Sequence, residues 1–317
     1  MGNTIKSLSG LPKNRLSGIG KKVVVITGCD SGLGYSLSLK FQDLGLTVVS
    51  GCLDTKSQGA TSLSRFCHVF DLDVTDSRSV QTFVQRTIDV TRDGENELYA
   101  LVNNAGQMIF GEFEWYTERQ IEQQVEVNLM GSFRMAKAFL PHLRKSKGRI
   151  INVTSHCAYT NLPTLTVYGA TKAALQSWSD GLRMEQQKYG VKIISFVPGS
   201  FASQSNIMTS QQFHSDEMEK AFGEEDRKFY GAYFNEFNRY LSFVSGERKP
   251  LVPIKDDVLY SKFLDALLSE NPRIKYKHEP WRYFLYYNSF RVAPTRLKDY
   301  LVNKFMMFPQ FKGNCVK

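Results

Sequence analysis

The chain has 317 residues, 42% hydrophobic and 22% charged, enough apolar material for one large α/β domain with a full core. Its five cysteines, Cys29, Cys52, Cys67, Cys157 and Cys315, show no paired spacing and no CxxC, which argues against a disulfide framework or zinc site and for a reducing compartment. The net charge of +9 gathers at the ends. Residues 1–22 carry five basic groups and no acid, and residues 273–317 carry ten against Glu279 and Asp299. No nucleic-acid module accompanies these charges, so no nucleic-acid partner is expected. No run approaches the length of a membrane-spanning helix, and the N-terminus lacks the apolar core of a signal peptide, so an intracellular, non-secreted protein is expected. Gly2 invites myristoylation, but Lys6 stands where a hydroxyl residue is required.

After a basic N-terminal segment (residues 1–20), short β-branched runs alternate with amphipathic stretches. KKVVVIT, TVVSG, FCHVFDL, YALVNN, RIINVT and VKIISFV read as strands. SLSLKFQDLG, SVQTFVQRTIDV, the stretch from Glu118 to Lys145, and TKAALQSWSDGLRMEQQKYG carry helical periodicity. Continuous apolar strands separated by helices predict a doubly wound, Rossmann-type parallel sheet. Beyond Pro198-Gly199, residues 200–250 turn polar and aromatic and read as a helical substrate lid. A further helix over 254–272 and a last short strand in RIKYKHE close a domain of residues 21–279. A basic, aromatic extension follows over 280–317.

TGCDSGLG follows the first strand and opens a helix. Thr27, Gly28, Ser31, Gly32, Leu33 and Gly34 would let a pyrophosphate approach the backbone at a helix N-terminus, the alternative being a plain tight turn. Asn104, Ala105 and Gly106 end the fourth strand, as a wall on the adenine side, a structural turn, or both. Asp73 would accept from the adenine amino group or cap the following helix. At the end of the second strand, Asp54 with Asp30 disfavours a 2′-phosphate, Lys56 being the only counterweight, so the expected cofactor is NAD rather than NADP. Tyr168 and Lys172 stand four residues apart, one helical turn, so phenol and ammonium share a face. The ammonium is expected to lower the phenol pKa and make Tyr168 an acid/base group for an alcohol or carbonyl oxygen.

TGCDSGLG, DVTD, LVNNAG, EVNLMG, GRIINVTS, YGATK and VPG, in this order over about residues 21–200, resemble the short-chain dehydrogenase/reductase family. FGEFEW and the aromatic stretch near Tyr230 are similar to its membrane-associated branch of retinol, hydroxysteroid and D-β-hydroxybutyrate dehydrogenases. The resemblance implies Tyr168 as acid/base and Lys172 as its partner and the holder of the nicotinamide ribose. It further implies Ser155 on the substrate oxygen, Asn128 holding a relay water, and Pro198 and Gly199 beside the nicotinamide. It also implies a homo-oligomer paired through the helices bearing Asn128 and Tyr168. His156, where relatives carry smaller or apolar residues, would shape the pocket, add a proton donor or simply be packed.

The substrate expected is a small apolar alcohol or ketone of the steroid or retinoid class, because the lid is rich in Phe, Tyr and Met. A small 3-hydroxy acid and a non-catalytic scaffold of the same fold are the alternatives. In the extension, a first aromatic cluster (Trp281, Tyr283, Phe284, Tyr286, Tyr287, Phe290) could pack on the domain. A second (Phe305, Met306, Met307, Phe308, Phe311), a terminal apolar run beside Lys304 and Lys312, has little left to cover and suits a lipid headgroup zone. Peripheral attachment to the endoplasmic reticulum or mitochondrion is the expectation.

Overall fold

A computed structural model describes residues 18–92, 96–199, 207–245 and 251–311. The strands are β1 (Lys22–Thr27), β2 (Thr47–Cys52), β3 (His68–Asp71), β4 (Glu97–Asn103), β5 (Arg149–Val153), β6 (Lys192–Val197) and β7 (Lys275–Lys277). They form one parallel sheet in the order β3-β2-β1-β4-β5-β6-β7. The helices are α1 (Gly32–Asp43), α2 (Gln58–Leu63), α3 (Ser77–Val90), α4 (Glu118–Val125), α5 (Gly131–Lys145), α6 (Thr166–Gln187), α7 (Gln211–Ala221), α8 (Glu224–Ser245), α9 (Asp257–Leu268), α10 (Trp281–Val292) and α11 (Thr295–Met306).

Period-two alternation sends neighbouring side chains of each strand to opposite faces. Val24, Ile26, Val48, Val102, Ile151 and Phe196 thus pack with Leu37 and Phe41 of α1 and Phe263 and Leu267 of α9. Val23, Val25, Val49, Leu101, Ile150 and Ile193 meet Phe83 of α3 and Met135, Phe139 and Leu143 of α5. Both faces are covered, which is why the strands read as unbroken apolar runs. Arg149, buried at the start of β5, donates to the carbonyls of Ala266 (2.7 Å) and Ser269 (3.0 Å), tying the C-terminal end of α9 to the sheet. Strand order reverses between β1 and β4, so a crevice opens at their carboxyl ends, where the glycine-rich loop and the NNAG turn lie.

The stretch from Glu118 to Lys145 is helical as expected, but a π-helical turn at Glu126–Met130 divides α4 from α5 and carries Asn128. Such a turn is typical of functional positions. Helix α2 was not anticipated; it is a short helix capped by Ser57, whose hydroxyl accepts from Ala60 N at 3.2 Å. The stretch expected as a lid forms α7 and α8, its residues 200–206 and 246–250 lying outside the described residues, and the apolar faces of these helices close on Trp115. Its indole meets Tyr233, Phe234 and Phe237 at centroid distances of 5.5, 5.1 and 5.4 Å. Gln211 of α7 exchanges two 2.8 Å hydrogen bonds with the Phe110 backbone.

The extension differs from the sequence expectation. Helices α10 and α11 fold back as a roof, and the second aromatic cluster is largely covered. Phe305 is buried among Tyr283, Tyr286, Tyr287 and Phe290. Phe308 lies against Phe110, Phe237 and Tyr240, and Phe311 against Phe229 and Tyr233. Phe305 thus rests on α10, whereas Phe308 and Phe311 rest mainly on α8, far away in sequence.

Candidate active site

The glycine-rich loop and the NNAG turn are one stitched unit. Thr27 Oγ1 accepts from the backbone N–H groups of Asn104 (3.0 Å) and Ala105 (2.9 Å). Asn104 Nδ2 donates in return to the carbonyls of Thr27 (2.8 Å) and Gly28 (3.1 Å). Side chains would not fit here: a Cβ on Gly34 would stand 2.3 Å from Gly28 O, and one on Gly28, at φ +70°, 2.8 Å from Ala105 Cα. Gly32, with φ of 59°, turns the chain into α1 in the left-handed region that favours glycine. Ser31 is the N-cap residue, yet its side chain does not cap the helix, and no acid lies in the first turn. The first-turn amides and the positive end of α1 therefore suit the pyrophosphate of a dinucleotide. Leu33 packs on the core beneath.

The carboxylates behave differently from one another. Asp30 accepts from the backbone N–H groups of Leu53 (2.9 Å) and Asp54 (3.0 Å), fastening the glycine loop to the end of β2. Asp54 itself accepts from Lys56 N at 2.8 Å and stays exposed. Asp73 accepts from the amide and hydroxyl of Thr75, closing a turn after β3, while the cap of α3 is Asp76. Burial above all pushes the Cys52 thiol up, with Cys29 next and smaller contributions from the neighbouring charges of Asp30 and Asp71.

A few ångströms on, the expected catalytic residues converge. A Cβ on Gly106 would lie 3.4 Å from Asn128 Oδ1 and 3.5 Å from Lys172 Nζ, so the NNAG turn runs into the proton-handling groups. Asn128 is fully buried. It accepts from Gln107 N (2.7 Å) and donates to Gln107 O (2.9 Å) and Thr171 Oγ1 (3.1 Å). Thr171 donates onward to Tyr168 O at 2.7 Å, so Thr171, which sequence reasoning passed over, links the π turn to α6. Lys172 Nζ donates to Val153 O at 3.0 Å and lies 5.8 Å from the centroid of the Tyr168 ring. Ser155 Oγ accepts from Cys157 N at 3.1 Å, which fixes the serine at the end of β5, beside the Tyr168 hydroxyl.

The phenolate expectation is not met. Burial pushes the Tyr168 phenol up, helped by Cys157, and the hydrogen bond from Ser155 opposes this only partly. Lys172 is brought down to about 8 by burial. The reason is geometric: the ammonium is turned to a backbone carbonyl, and its own burial weakens it as a source of positive charge.

His156 is neither free nor merely packed. Its Nε2 lies 3.2 Å from Glu279 Oε1, and its ring lies against Tyr283 (5.1 Å) and Tyr287 (4.9 Å). Burial lowers its pKa against the pull of Glu279, so near neutral pH it is an uncharged hydrogen-bonding partner. Pro198 and Gly199 leave β6 toward the same place; a Cβ on Gly199 would stand 3.2 Å from both His278 O and Pro280 Cδ. Cys157, Leu162, Leu165 and Tyr168 form the floor of an apolar cluster roofed by Tyr287, Phe290, Val302 and Phe305.

This arrangement matches a known profile: the short chain dehydrogenase family matches residues 22–213. The chain belongs to that family. Estradiol 17-beta-dehydrogenase 2 of Mus musculus is 33% identical over 90% of this chain and 75% of its own length. The mitochondrial D-beta-hydroxybutyrate dehydrogenase of Rattus norvegicus is 34% identical over 68% of this chain and 65% of its own. Among solved structures, a short-chain dehydrogenase from Streptomyces avermitilis superposes with a TM-score of 0.61 at 26% identity, covering 81% of this chain and 88% of that one. The short-chain dehydrogenase is thus an oxidoreductase of the alcohol dehydrogenase/reductase type with a seven-stranded Rossmann-like sheet.

Proposed function

We propose that this short-chain dehydrogenase interconverts an alcohol and a carbonyl on an apolar, lipid-like substrate of the steroid or retinoid class, using NAD. The observation that carries this reading is the position of Tyr168, beside Ser155 and beneath an aromatic roof. The nicotinamide cofactor, when bound, exchanges a hydride with the substrate carbon. Thr27, Gly28, Ser31, Gly32, Leu33 and Gly34 would hold its pyrophosphate side, Asn104, Ala105 and Gly106 its adenine side, and Asp54 and Asp73 its adenosine. Pro198 and Gly199 would flank the nicotinamide, and Lys172 its ribose. Tyr168 passes the proton to or from the substrate oxygen, Ser155 donates a hydrogen bond to that oxygen, and Asn128 orients the relay behind Lys172. A phenol held protonated by burial starts as a general acid, ready for carbonyl reduction; oxidation requires the charge of Lys172 to be retained when the site is filled.

The gathering of Asp30, Asp54 and Asp71 around the end of β2 supports NAD over NADP, by about tenfold or more. A carboxylate substrate such as 3-hydroxybutyrate would call for a cation over Tyr168. Among the described residues the groups against Tyr168 are Ser155, Cys157, the rings of α10 and α11, and Lys172, whose ammonium is turned to Val153 O, which supports the apolar substrate.

Two assembly features complete the proposal. Phe133 of α5 and Trp178 of α6 form a half-buried ring pair at 4.5 Å, supporting a homodimer through these helices. Trp281, Phe284, Leu285 and Val292 make an exposed stripe on α10, near exposed Arg291 and Arg296, suited to peripheral contact with an intracellular membrane. Among the described residues no helix is long and apolar enough to cross one. Replacing Trp281, Phe284 and Leu285 by Ser should release the chain from anionic liposomes; truncation at 300 is a poorer test, because it removes the buried Phe305.

The deciding experiment screens steroids, retinoids and 3-hydroxybutyrate with NAD and NADP by nicotinamide absorbance, for wild type and Tyr168→Phe. Turnover should fall at least about a hundredfold in the variant while NAD still binds. A variant as active as wild type would end the assignment of Tyr168.

A further inference from the structure

Helix α10 brings a second phenol into the catalytic cluster. Tyr287 is 7% exposed, and its ring is fixed by Phe290 (5.2 Å), Phe305 (5.9 Å) and Tyr283 (5.8 Å, stacked). Packing accounts for the ring but not for the hydroxyl. Its oxygen is buried and, among the described residues, has no hydrogen-bond partner beyond the neighbouring Cys157 thiol; the other polar groups beside it are the phenols of Tyr168 and Tyr283. A thiol is a weak partner, and a buried hydroxyl left unpaired destabilises the fold. The neighbouring positions of the roof are filled by Phe290 and Phe305, which have no such group. A phenylalanine would fill the space of Tyr287 without that penalty.

The roof is also held in place relative to the catalytic serine. Glu279, two residues before α10, takes His156 Nε2 at 3.2 Å and Lys277 Nζ at 3.3 Å, and His156 directly follows Ser155. Arg282 donates to Phe305 O at 2.8 Å, holding α10 to α11. The Tyr287 hydroxyl is therefore presented to the site by fixed supports on both sides.

We propose that Tyr287 is a substrate-binding residue, its phenol making a hydrogen bond to an oxygen of the bound alcohol or ketone beside Ser155 and Tyr168. The inference rests on the dehydrogenase reading above and adds to it a specificity group supplied from beyond the segment that the family profile matches. In the free protein the hydroxyl has at most the weak Cys157 thiol as partner; with substrate it gains an oxygen. An analogue lacking the matching oxygen leaves it unpaired and is disfavoured.

The test uses the full chain as wild type, Tyr287→Phe and Tyr168→Phe, with estradiol and NAD, or with whichever alcohol the screen returns. Melting midpoints of the free proteins are measured alongside kcat, KM and cofactor affinity. Tyr287→Phe should raise the midpoint by about 2 °C or more. It should also raise KM at least about tenfold, with kcat within about threefold and cofactor affinity unchanged. An unchanged or lower midpoint would show that the hydroxyl already has a partner in the protein, and would overturn the proposal. So would a higher midpoint with an unchanged KM. Retained turnover in Tyr168→Phe would instead strike the dehydrogenase reading itself.

Discussion

The nucleotide cradle and the C-terminal roof are built by opposite means. In the cradle, short side chains bond to backbone: Thr27 and Asn104 lace β1 to β4, and Asp30 laces the loop to β2, at distances of 2.8–3.1 Å. Glycines there meet backbone so closely that a single methyl group has no room. In the roof, rings meet rings at 5.1–6.0 Å, and a hydrogen bond from Arg282 to Phe305 O ties α10 to α11. Hydrogen-bond geometry is directional and tolerates little displacement, whereas aromatic packing accepts many arrangements of similar energy. A constant ligand part is met by the rigid construction, a variable one by the adaptable construction.

The comparison breaks first at Phe305. Phe305→Ala removes the ring at the centre of the roof and should cost about 3–5 kcal/mol. Denaturant unfolding should show that loss, substrate turnover should fall, and cofactor affinity measured below the transition should stay near wild type. Equal loss of cofactor affinity would mean that the two regions are not separable. Gly34→Ala is the converse. Its Cβ would collide with Gly28 O and with Asn104 Nδ2 (2.6 Å), so cofactor affinity should fall at least about tenfold, about 1.4 kcal/mol. The roof should remain intact, as judged by near-ultraviolet circular dichroism of its tyrosines.

The smallest effect sharpens the border between them, at Lys172. Its pKa in the folded protein lies at about 8, below the ordinary 10.5. Between these values the unfolded chain binds more protons than the folded one, so this group makes stability rise with pH across that window. Below about pH 8 both states are charged and the cost of burying the ammonium is felt in full. Lys172→Met should therefore gain on wild type most at pH 7, and the gain should shrink toward pH 10.5. A gap independent of pH would place the ammonium in water.

What could be read in advance follows the same division. The strands β1, β4 and β5 announce themselves because burial on both faces makes each a nearly continuous apolar run. The glycine loop, Ser155, Tyr168 and Lys172 lie in short contiguous motifs, and the fold brings them together as the motifs imply. Local spacing did not carry the π turn at Asn128, which depends on how α4 and α5 seat against the sheet. Nor did it carry the ionisation of Tyr168: four residues set the helix face, but burial by α10 and α11 sets the sign. The covering of Phe308 in the last aromatic cluster is not legible locally, because its partners, Phe110 and Phe237, lie on other parts of the chain. Gln107 carries no motif, and Thr171 lies within YGATK without a role of its own there; both are found through their hydrogen bonds to Asn128.

Cys157 gives the roof a built-in clock. Its thiol lies under Tyr287 and beside Ser155, is 7% exposed, and is pushed up by burial, so it stays protonated and unreactive while α10 is seated. Alkylation at this sulfur would have to await an opening, and its rate would count how often the roof lifts. Cys29 and Cys52, fully buried at the ends of β1 and β2 away from α10, serve as internal controls for openings other than that of the roof. A substrate of the right shape, by holding α10 down, should slow the labelling of Cys157 and leave those two untouched.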